Sequence, residues 1–427
     1  MYKNTKNISS GIILFCLFIA LVSQNPVKSQ NRISSPYAMY GLGELYFNNN
    51  FRNMGMGGLA IGFQNNTSVN YTNPASYVGL DTNSFVFETI IFSHFYGQKT
   101  AELEQMSNYS SLGSITYGFP VFKWWSSAFG LTPYSNLGYK VKDEGFIDPV
   151  GAIDFEYEGE GGIHQVFWGN AFNLGKGFSL GLNASYLFGN LKDASLVSSA
   201  ESNFFLANQH RNMSVSGFML NFGAQYKRVL SDDKELIVGA TFGNQTNLSA
   251  TETVMQRIYL PGYTAPDTVL YYVNEEGKME LPANYAVGFT MKFNENWMAG
   301  ADFYNQNWKQ FELFGSPGNL NNSYQFAAGT QYNPSQTTYS GFFSRMRYSA
   351  GLRYKQTFIV HNDNTVNELG ISFGLGFKLR QSLSGMHLSF EWANRGSIEN
   401  NNLKEDLYRI NLGINIHERW FVKRKFY

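Results

Sequence analysis

Cysteine is almost absent from this sequence of 427 residues, and the one cysteine, Cys16, lies in an apolar run near the N-terminus. Without further cysteines the chain has no disulfide bonds and no thiolate metal sites. This is typical of exported proteins, because unpaired thiols are oxidised outside the cytoplasm. The six histidines show no spacing typical of a metal site. We therefore expect no metal and no cofactor.

Charge is scarce as well, at 15% of residues, and it is balanced between 32 basic and 32 acidic side chains. Such a chain offers no basic surface for nucleic acid. Proline is rare, with 11 residues, whereas there are 42 glycines and 17% of residues are aromatic. Few charges together with many aromatic residues and glycines are typical of a protein whose outer surface contacts lipid.

Long apolar runs are missing after residue 29. The run 11–22, preceded by Lys3 and Lys6, is too short to span a bilayer and predicts a secretory signal peptide over 1–29, with Gln30 as the new N-terminus. No later stretch approaches 18 apolar residues. A chain without membrane helices crosses a bilayer only as a closed β-barrel, because every backbone N–H and C=O needs a partner.

Strict alternation is what the sequence has instead. From Leu369 to Leu379 apolar residues occupy every second position, and small or polar residues lie between them. The ranges 178–189 and 408–417 repeat the pattern. A period of two predicts strands with one face toward lipid. Counted over 83–427, the pattern predicts an all-β fold: a transmembrane antiparallel β-barrel of about fourteen strands.

Short and long connections alternate along the predicted barrel. Short turns are expected near 120–124, 173–177, 231–234, 294–296, 334–340 and 380–384, and mostly longer segments near 99–107, 142–159, 191–211, 246–280, 310–322, 358–365 and 396–405. This asymmetry predicts the outer membrane of a Gram-negative cell, with short periplasmic turns. The aromatic stretches 202–209 and 256–273 are either exposed ligand-contacting loops or strands that continue beyond the membrane. The terminal Phe426-Tyr427 resembles a signal read by the outer-membrane assembly machinery.

Residues 30–82 lack the alternation and are rich in glycine, with glycines at 41, 43, 55, 57, 58 and 62 among others. A barrel of about fourteen strands is wider than side chains can fill. The inward positions are mostly Gly, Ser and Asn, with an occasional charge such as Asp302, and they leave room. We therefore expect residues 30–82 to form a plug, or hatch, inside a barrel of residues 83–427. The glycines 55, 57 and 58 could also indicate a phosphate-binding loop, but such a loop needs a surrounding βαβ unit, and none is predicted here. We therefore expect these glycines to allow tight backbone packing.

The stretch "YTNPASYVGL" (71–80), after a Gly-rich start, resembles the FadL-type family of outer-membrane transporters for fatty acids and other hydrophobic compounds. The phrases "GLTPYSNLGY" (130–139), "LPANYAVGF" (281–289) and "RWFVKRKFY" (419–427) resemble the same family. The resemblance implies an N-terminal hatch whose N-P-A motif matches Asn73, Pro74 and Ala75. It also implies a side opening beside a kinked strand, for which Pro133 is a candidate because proline removes a ladder hydrogen bond.

These observations favour passive uptake of a hydrophobic small molecule. Phe51, Met54 and Met56 are the expected apolar ligand contacts, and the N-P-A residues are the expected gate. The other expected partners are outer-membrane lipid and the assembly machinery. An alternative is a FadL-like barrel that binds and shuttles a secreted protein cargo in a type IX-like system. Catalysis is not expected, because the inward pair His387 and Ser389 has no identifiable third residue.

Overall fold

The computed structural model of the protein describes residues 34–46, 50–148, 151–199, 206–259, 267–334, 341–379 and 382–419. The twenty strands are β1 Glu44–Leu45, β2 Ser84–Lys99, β3 Glu104–Phe122, β4 Trp125–Asn136, β5 Tyr139–Ile147, β6 Gly151–Gly175, β7 Phe178–Ser199, β8 Leu206–Ser231, β9 Lys234–Gly243, β10 Thr246–Tyr259, β11 Asp267–Leu281, β12 Asn284–Lys292, β13 Trp297–Gln306, β14 Glu312–Leu313, β15 Ser316–Pro317, β16 Ser323–Tyr332, β17 Arg347–His361, β18 Asn364–Lys378, β19 Gly385–Ser397 and β20 Leu403–Arg419. Single helical turns lie at Pro36–Met39, Phe51–Met54, Pro74–Gly79, Trp308–Gln310, Phe343–Arg345 and Ile398–Asn401. No described helix has the length and apolar character needed to cross a membrane.

Fourteen of these strands form a closed antiparallel barrel, which confirms the predicted fold class and strand number. They are β2, β3, β4, β6, β7, β8, β9, β12, β13, β16, β17, β18, β19 and β20. The barrel closes where β2 pairs with β20, from Ser84 opposite Arg419 to Lys99 opposite Lys404. The end with the short turns 123–124, 176–177 and 232–233 is the periplasmic end. The opposite end is called the outer end below.

The side chains of the wall alternate as the sequence predicts. Phe373 is 56% exposed on the outer face, and the neighbouring Ser372 and Gly374 are buried on the inner face. Aromatic and aliphatic side chains such as Trp168, Phe218 and Phe289 cover the outer face of other strands. The wall therefore presents the apolar belt that a bilayer requires.

The outer end departs from the prediction of long loops. The connection between β2 and β3 is the four residues 100–103, and β17 joins β18 through the turn 362–363. Most of the other predicted loops are strands beyond the barrel rim. An example is the pair β10 and β11, which are not part of the barrel and pair with each other along their length. Within the described residues, the aromatic stretches 206–209, 256–259 and 267–273 are therefore strand extensions, not free loops.

Several sequence predictions fall outside the described residues. They include the signal peptide 1–29 with Cys16, most of the turn 334–340 and the C-terminal stretch 420–427. Their structure is not discussed further, and the division at residues 29 and 82 stays a prediction.

Residues 34–46 and 50–82, together called the front segment below, lie against the inner face of the wall. Their backbone and side chains contact inward-facing residues of strands on all sides of the barrel. Its described partners include Glu88 on β2, Asn183 on β7, Gln225 on β8, Asp302 on β13, Ser372 on β18 and Asn415 on β20. Contacts in so many directions require the segment to run through the barrel interior.

The small inward residues make room inside the barrel for this segment. A side chain on Gly351 would lie within 3.0 Å of the backbone of Met56 and Gly57. Further inward glycines that lie against backbone of the front segment are Gly181, Gly223, Gly239, Gly329 and Gly374, whereas Gly118, Gly169 and Gly413 lie against its side chains. These inward glycines, together with Gly351, are called the glycine belt below. They allow the inner face of the wall to approach the front segment closely.

The outward position of Phe373 predicts a cost for charge on this face. Phe373→Arg should lower the free energy of unfolding by about 2–4 kcal/mol, because the charge meets hydrocarbon near mid-strand. Asn367→Arg is the matched control, on the same exposed face of β18 but near the outer rim, where the expected cost is about 0–1 kcal/mol. Urea unfolding in lipid vesicles measures both, and equal losses would contradict the assigned depth.

Candidate functional site

The N-P-A residues form a buried corner of the front segment. Asn73 caps the turn Pro74–Gly79: its side-chain oxygen accepts a hydrogen bond from the Ala75 N–H at 3.1 Å. Its amide group donates to the Ile61 carbonyl at 2.7 Å. Pro74 occupies the first turn position, where its fixed φ fits and its missing N–H has no cost. The motif therefore ties two parts of the front segment together.

The glycine belt holds this corner against the wall. Pro74 and Ala75 lie where side chains on Gly181 and Gly223 would otherwise stand. Asn73 and Ala75 are both 0% exposed. Any movement of the motif therefore needs backbone displacement, and not only side-chain rotation.

The three apolar residues predicted to contact ligand face different directions. Phe51 packs on His387 with ring centroids 5.8 Å apart, near the periplasmic end. Met56 is fully buried against Gly329 and Gly351. Met54 is half-buried and lines a cavity toward the outer end. The structure thus brings only Met54 of these three to that cavity, and their role in binding stays a prediction.

Two inward carboxylates anchor the front segment to the wall. Asp302 accepts hydrogen bonds from the backbone N–H groups of Ala60 and Ile61, at 2.6 and 2.9 Å. Glu88 accepts from the Val69 N–H at 3.1 Å and from the Asn50 side chain at 2.8 Å. A backbone without strand partners needs such acceptors when it is buried. The sequence prediction included Asp302 only as an inward charge and missed Glu88.

The barrel wall is split between β3 and β4 toward the outer end. The two strands pair from Phe122 opposite Trp125 up to Ile115 opposite Leu131. Beyond that point, among the described residues, β3 pairs with β2 and β4 pairs with β6. Pro133 lies two residues past the last pair and cannot donate a ladder hydrogen bond. We call this split the wall gap. It lies beside Pro133, the candidate for a kinked strand, and its role as a side opening stays a prediction.

Residues 34–46, called the strap, span the wall gap. On one side, strand β1 pairs with β4, with Leu45 opposite Ser135, and the Ser34 N–H donates to the Gly138 carbonyl at 2.8 Å. On the other side, the Ser34 carbonyl accepts from Gln98 at 2.9 Å and Ser107 at 2.8 Å. The strap thus supplies the hydrogen bonds that β3 does not supply to this part of β4.

A buried ion network fastens the strap to strands β19 and β20. Glu44 of the strap lies 3.1 Å from Arg395 and 3.8 Å from Arg409. Ser35 donates to Glu405 at 2.7 Å and accepts from Arg395 at 3.0 Å. Among the described residues, the network includes Glu44, Arg353, Glu368, Glu391, Arg395, Glu405 and Arg409.

The sequence analysis missed this network, although its members fall at inward positions of alternating strands. Four carboxylates face three guanidinium groups, so the charges nearly balance. Burial acts to raise the pKa of Glu44, but Arg395 and Arg409 outweigh it and hold the pKa below its usual value. Glu44 is therefore charged at neutral pH, and its contact with the two arginines is lost only as the pH falls through that lowered pKa.

Two cavities adjoin the strap on its inner side. One has a volume of about 110 Å³ and is bounded by Phe92, Pro133 and part of the ion network. The other has a volume of about 130 Å³ and is bounded by Tyr134, Tyr304 and Tyr324. Leu45, Tyr46, Lys355 and Phe358 line both cavities. The first cavity is lined by apolar side chains together with Lys355 and the charged groups of the ion network, and the second by tyrosines together with Asp302 and Lys355. Apolar surface beside placed polar groups is suited to a hydrophobic molecule that carries a polar end.

The inward pair His387 and Ser389 has no catalytic geometry. Among the described residues, neither ring nitrogen of His387 has a hydrogen-bond partner, and Ser389 accepts from Asn411 at 3.2 Å. A nucleophile needs its base within hydrogen-bond reach. The described part of the chain also contains no group of three His, Cys, Asp or Glu side chains that is placed to hold a metal ion.

Gly351 tests whether the glycine belt holds the front segment. Gly351→Ala should raise the ion conductance of the barrel in planar bilayers, because its methyl group meets backbone atoms of Met56 and Gly57 that cannot move aside separately. Overpacking of this kind costs about 1–3 kcal/mol. Gly97→Ala is the control, since its nearest neighbour is the flexible Met106 sulfur at 3.3 Å. Unchanged conductance in Gly351→Ala would refute the fit described here.

Glu44 tests the ion network. Glu44→Gln should increase hydrogen exchange at backbone amides of the strap, because removing one partner of a buried ion pair costs about 3–5 kcal/mol. Glu104→Gln is the control at the same end of the barrel, since Glu104 is 72% exposed and pairs with Lys99 at 3.7 Å. Mass spectrometry of peptic fragments measures the exchange. Equal strap exchange in both variants would show that the network does not fasten the strap.

The fold matches solved outer-membrane proteins of low sequence identity. A FadL homologue from Pseudomonas aeruginosa aligns with a TM-score of 0.58 and 12% identity, over 88% of this chain and 100% of that chain. The toluene transporter TodX of Pseudomonas putida aligns with a TM-score of 0.57 and 16% identity, over 92% and 100%. The toluene transporter TbuX of Ralstonia pickettii aligns with a TM-score of 0.56 and 12% identity, over 86% and 97%. The chain is therefore an outer-membrane β-barrel of the FadL type in fold.

Sequence comparison assigns the chain to a family. No curated protein matches the sequence. The sequence model of one family matches residues 5–427, which is nearly the whole chain. The protein with this strapped, fourteen-stranded barrel therefore belongs to the BamG family.

Proposed function

We propose that this protein is an outer-membrane channel for the passive uptake of hydrophobic small molecules, and that the front segment is its hatch. A molecule arriving at the outer end collects in the cavities beside Leu45 and Tyr46. It leaves sideways through the wall gap into the lipid when the strap moves. No water-filled path through the glycine belt is needed, so the barrel stays closed to ions.

The wall gap is the observation that carries this proposal. Its free edge on β4 is covered by the strap, whose hold depends on two β1 pairs, a few side-chain hydrogen bonds and the ion network. In a wall made only of barrel strands, an opening would require all the backbone hydrogen bonds between two neighbouring strands to break. The strap is therefore the part of the wall that opens at the lowest cost.

In this mechanism each predicted site residue either contacts the transported molecule or holds the hatch in place. Met54 lines the cavity of about 110 Å³ and contacts the transported molecule, and methionine adapts to varied shapes. Asn73, Pro74 and Ala75 are the fixed corner of the hatch, because the glycine belt holds them. Phe51 and Met56 support the hatch from the periplasmic side. Lys355 lines both cavities and is placed to meet a carboxylate, which extends the proposed ligands to fatty acids.

The BamG family supports a second candidate function. Its name points to the outer-membrane assembly machinery, and the family match covers residues 5–427. In this function the barrel is a subunit that binds other proteins, and its filled interior serves stability instead of transport. The alternative of a type IX-like shuttle belongs to the same class of binding roles. Crosslinking in intact cells separates this candidate from uptake, because an assembly subunit is captured with the assembly machinery.

A reversible tether between strap and wall tests the uptake channel. Leu45 and Ser135 are opposite each other in an antiparallel pair, where Cα atoms lie about 4.5–5.5 Å apart, within the range of a disulfide bond. The double variant Leu45→Cys/Ser135→Cys should lose the uptake of toluene and of a long-chain fatty acid when oxidised. Uptake should return on reduction, because the strap is free again.

The matched control places the same chemistry within the wall. Ser93 and Ser110 are paired on β2 and β3 with their hydroxyl oxygens 2.7 Å apart. Ser93→Cys/Ser110→Cys should transport equally well in both redox states. If the oxidised Leu45/Ser135 variant keeps full uptake, the strap is not the gate. If neither compound enters faster than in cells without the protein, the uptake proposal fails as a whole.

A further inference from the structure

The periplasmic end of the barrel encloses a cavity of about 960 Å³ below the front segment, called the vestibule here. Its lining is strongly basic, although the whole chain has balanced charge. Among the described residues, seven basic side chains line it, namely Arg52, Lys176, Lys227, Lys292, Arg345, Arg347 and Lys378, whereas the acidic ones are Glu235 and Glu295. Lys227 is neutralised by Glu235 at 2.8 Å. The vestibule therefore has an excess of positive charge.

Three of these cations meet at the roof of the vestibule without a carboxylate. Arg52 belongs to the front segment and is 7% exposed. Arg347 and Lys378 belong to the wall, where Arg347 is half-buried and Lys378 is exposed at the end of β18. Arg52 contacts Gln331 at 3.4 Å, and Arg347 contacts Asn333 at 3.3 Å; both partners are neutral. Among the described residues, none of the three cations has an acidic group within 4.0 Å.

Arg52 is the buried cation of the three. Its guanidinium lies 5.8 Å from the centre of the Phe63 ring, and the charge of Glu88 acts to raise its pKa, but neither contact is a direct ion pair. Burial lowers the pKa of Arg52 well below its usual value, and Arg347 lowers it further. Proteins pair such charges or bind ligands with them, because an isolated buried charge loses its hydration. The arginine pair also repels across the boundary between front segment and wall. The fold therefore places a site of unmet positive charge where the hatch touches the barrel.

Unsatisfied polar groups surround the same point. Both ring nitrogens of His387 and the Ser349 hydroxyl are buried without a hydrogen-bond partner among the described residues. His387 is 2% exposed and lines the vestibule next to Arg347. Buried polar groups are nearly always hydrogen-bonded in folded proteins. Donors that converge with two guanidinium groups are the chemistry that recognises a carboxylate or a phosphate.

We propose that Arg52, Arg347, Lys378 and His387 form an anion site that binds a carboxylate or phosphate group from the periplasmic side. The bound anion bridges Arg52 to Arg347, which replaces the repulsion between them by attraction and holds the front segment against the wall. This site lies on the other side of the glycine belt from the proposed uptake path. It does not depend on whether the barrel transports anything.

Calorimetric titration of the purified full-length protein in detergent tests the site. Inorganic phosphate and decanoate are titrated separately at constant ionic strength, with chloride as the reference anion. Binding of phosphate identifies a free anion as sufficient, and binding of decanoate alone identifies the head group of an amphiphile. Either result supports the site. No binding of either beyond the chloride reference overturns it.

Variants assign the binding to this cluster. Arg52→Gln and Lys378→Gln should each weaken binding at least roughly tenfold, because each removes a charge-assisted hydrogen bond. Lys176→Gln is the control, since Lys176 lines the same vestibule at an exposed turn, and it should bind within about twofold of the unaltered protein. Arg52 lies in the front segment and Lys378 in the wall. Weaker binding in both variants therefore cannot be explained by a loosened front segment alone. Equal affinities in all three variants would place the anion elsewhere.

Anion binding should also be visible in the front segment itself. Hydrogen exchange at residues 50–63 should slow when the favoured anion is added to the unaltered protein. The slowing should disappear in Arg52→Gln and persist in Lys176→Gln. Exchange that does not respond to a bound anion would overturn the clamping role.

Discussion

The close contact between the backbone of the front segment and the glycines of the inner wall is the constraint on which the rest of this structure depends. Fourteen strands enclose more space than their own side chains fill. The chain fills this space with backbone, and side chains on Gly223, Gly351 or Gly374 would collide with it. Buried backbone needs hydrogen-bond partners, and Asp302 and Glu88 supply them. Wall and segment are therefore complementary to each other in shape and in polarity.

The front segment is held in two physically different ways along its length. The part from Phe51 to Gly79 is held by shape, since the wall approaches its backbone without intervening side chains. The strap is held by a short strand pairing and by ion contacts around Glu44. Contacts of the second kind are broken and remade at lower cost, because charged groups regain hydration when they separate. In the proposed uptake mechanism, the strap therefore moves while the N-P-A corner stays in place.

Charge is distributed unevenly although the total is balanced at 32 against 32. The ion network near the outer end nearly neutralises itself, with Glu44, Arg395 and Arg409 at its centre. The vestibule at the periplasmic end has an excess of cations instead. The glycine belt separates the two regions. The front segment contacts both regions, and we propose that the first receives hydrophobic molecules and the second binds anions.

The sequence by itself determined the all-β class, the number of strands and the facing of each strand, because the period-two pattern is local and each strand carries it completely. It also predicted the tight packing of Gly55, Gly57 and Gly58. Tertiary structure alone decided what the inward residues meet. The ion network joins Glu44 to residues more than 300 positions away, and the wall gap depends on which edge of β4 stays unpaired. Such contacts follow from the register between distant strands, and the alternation within one strand carries no information on that register.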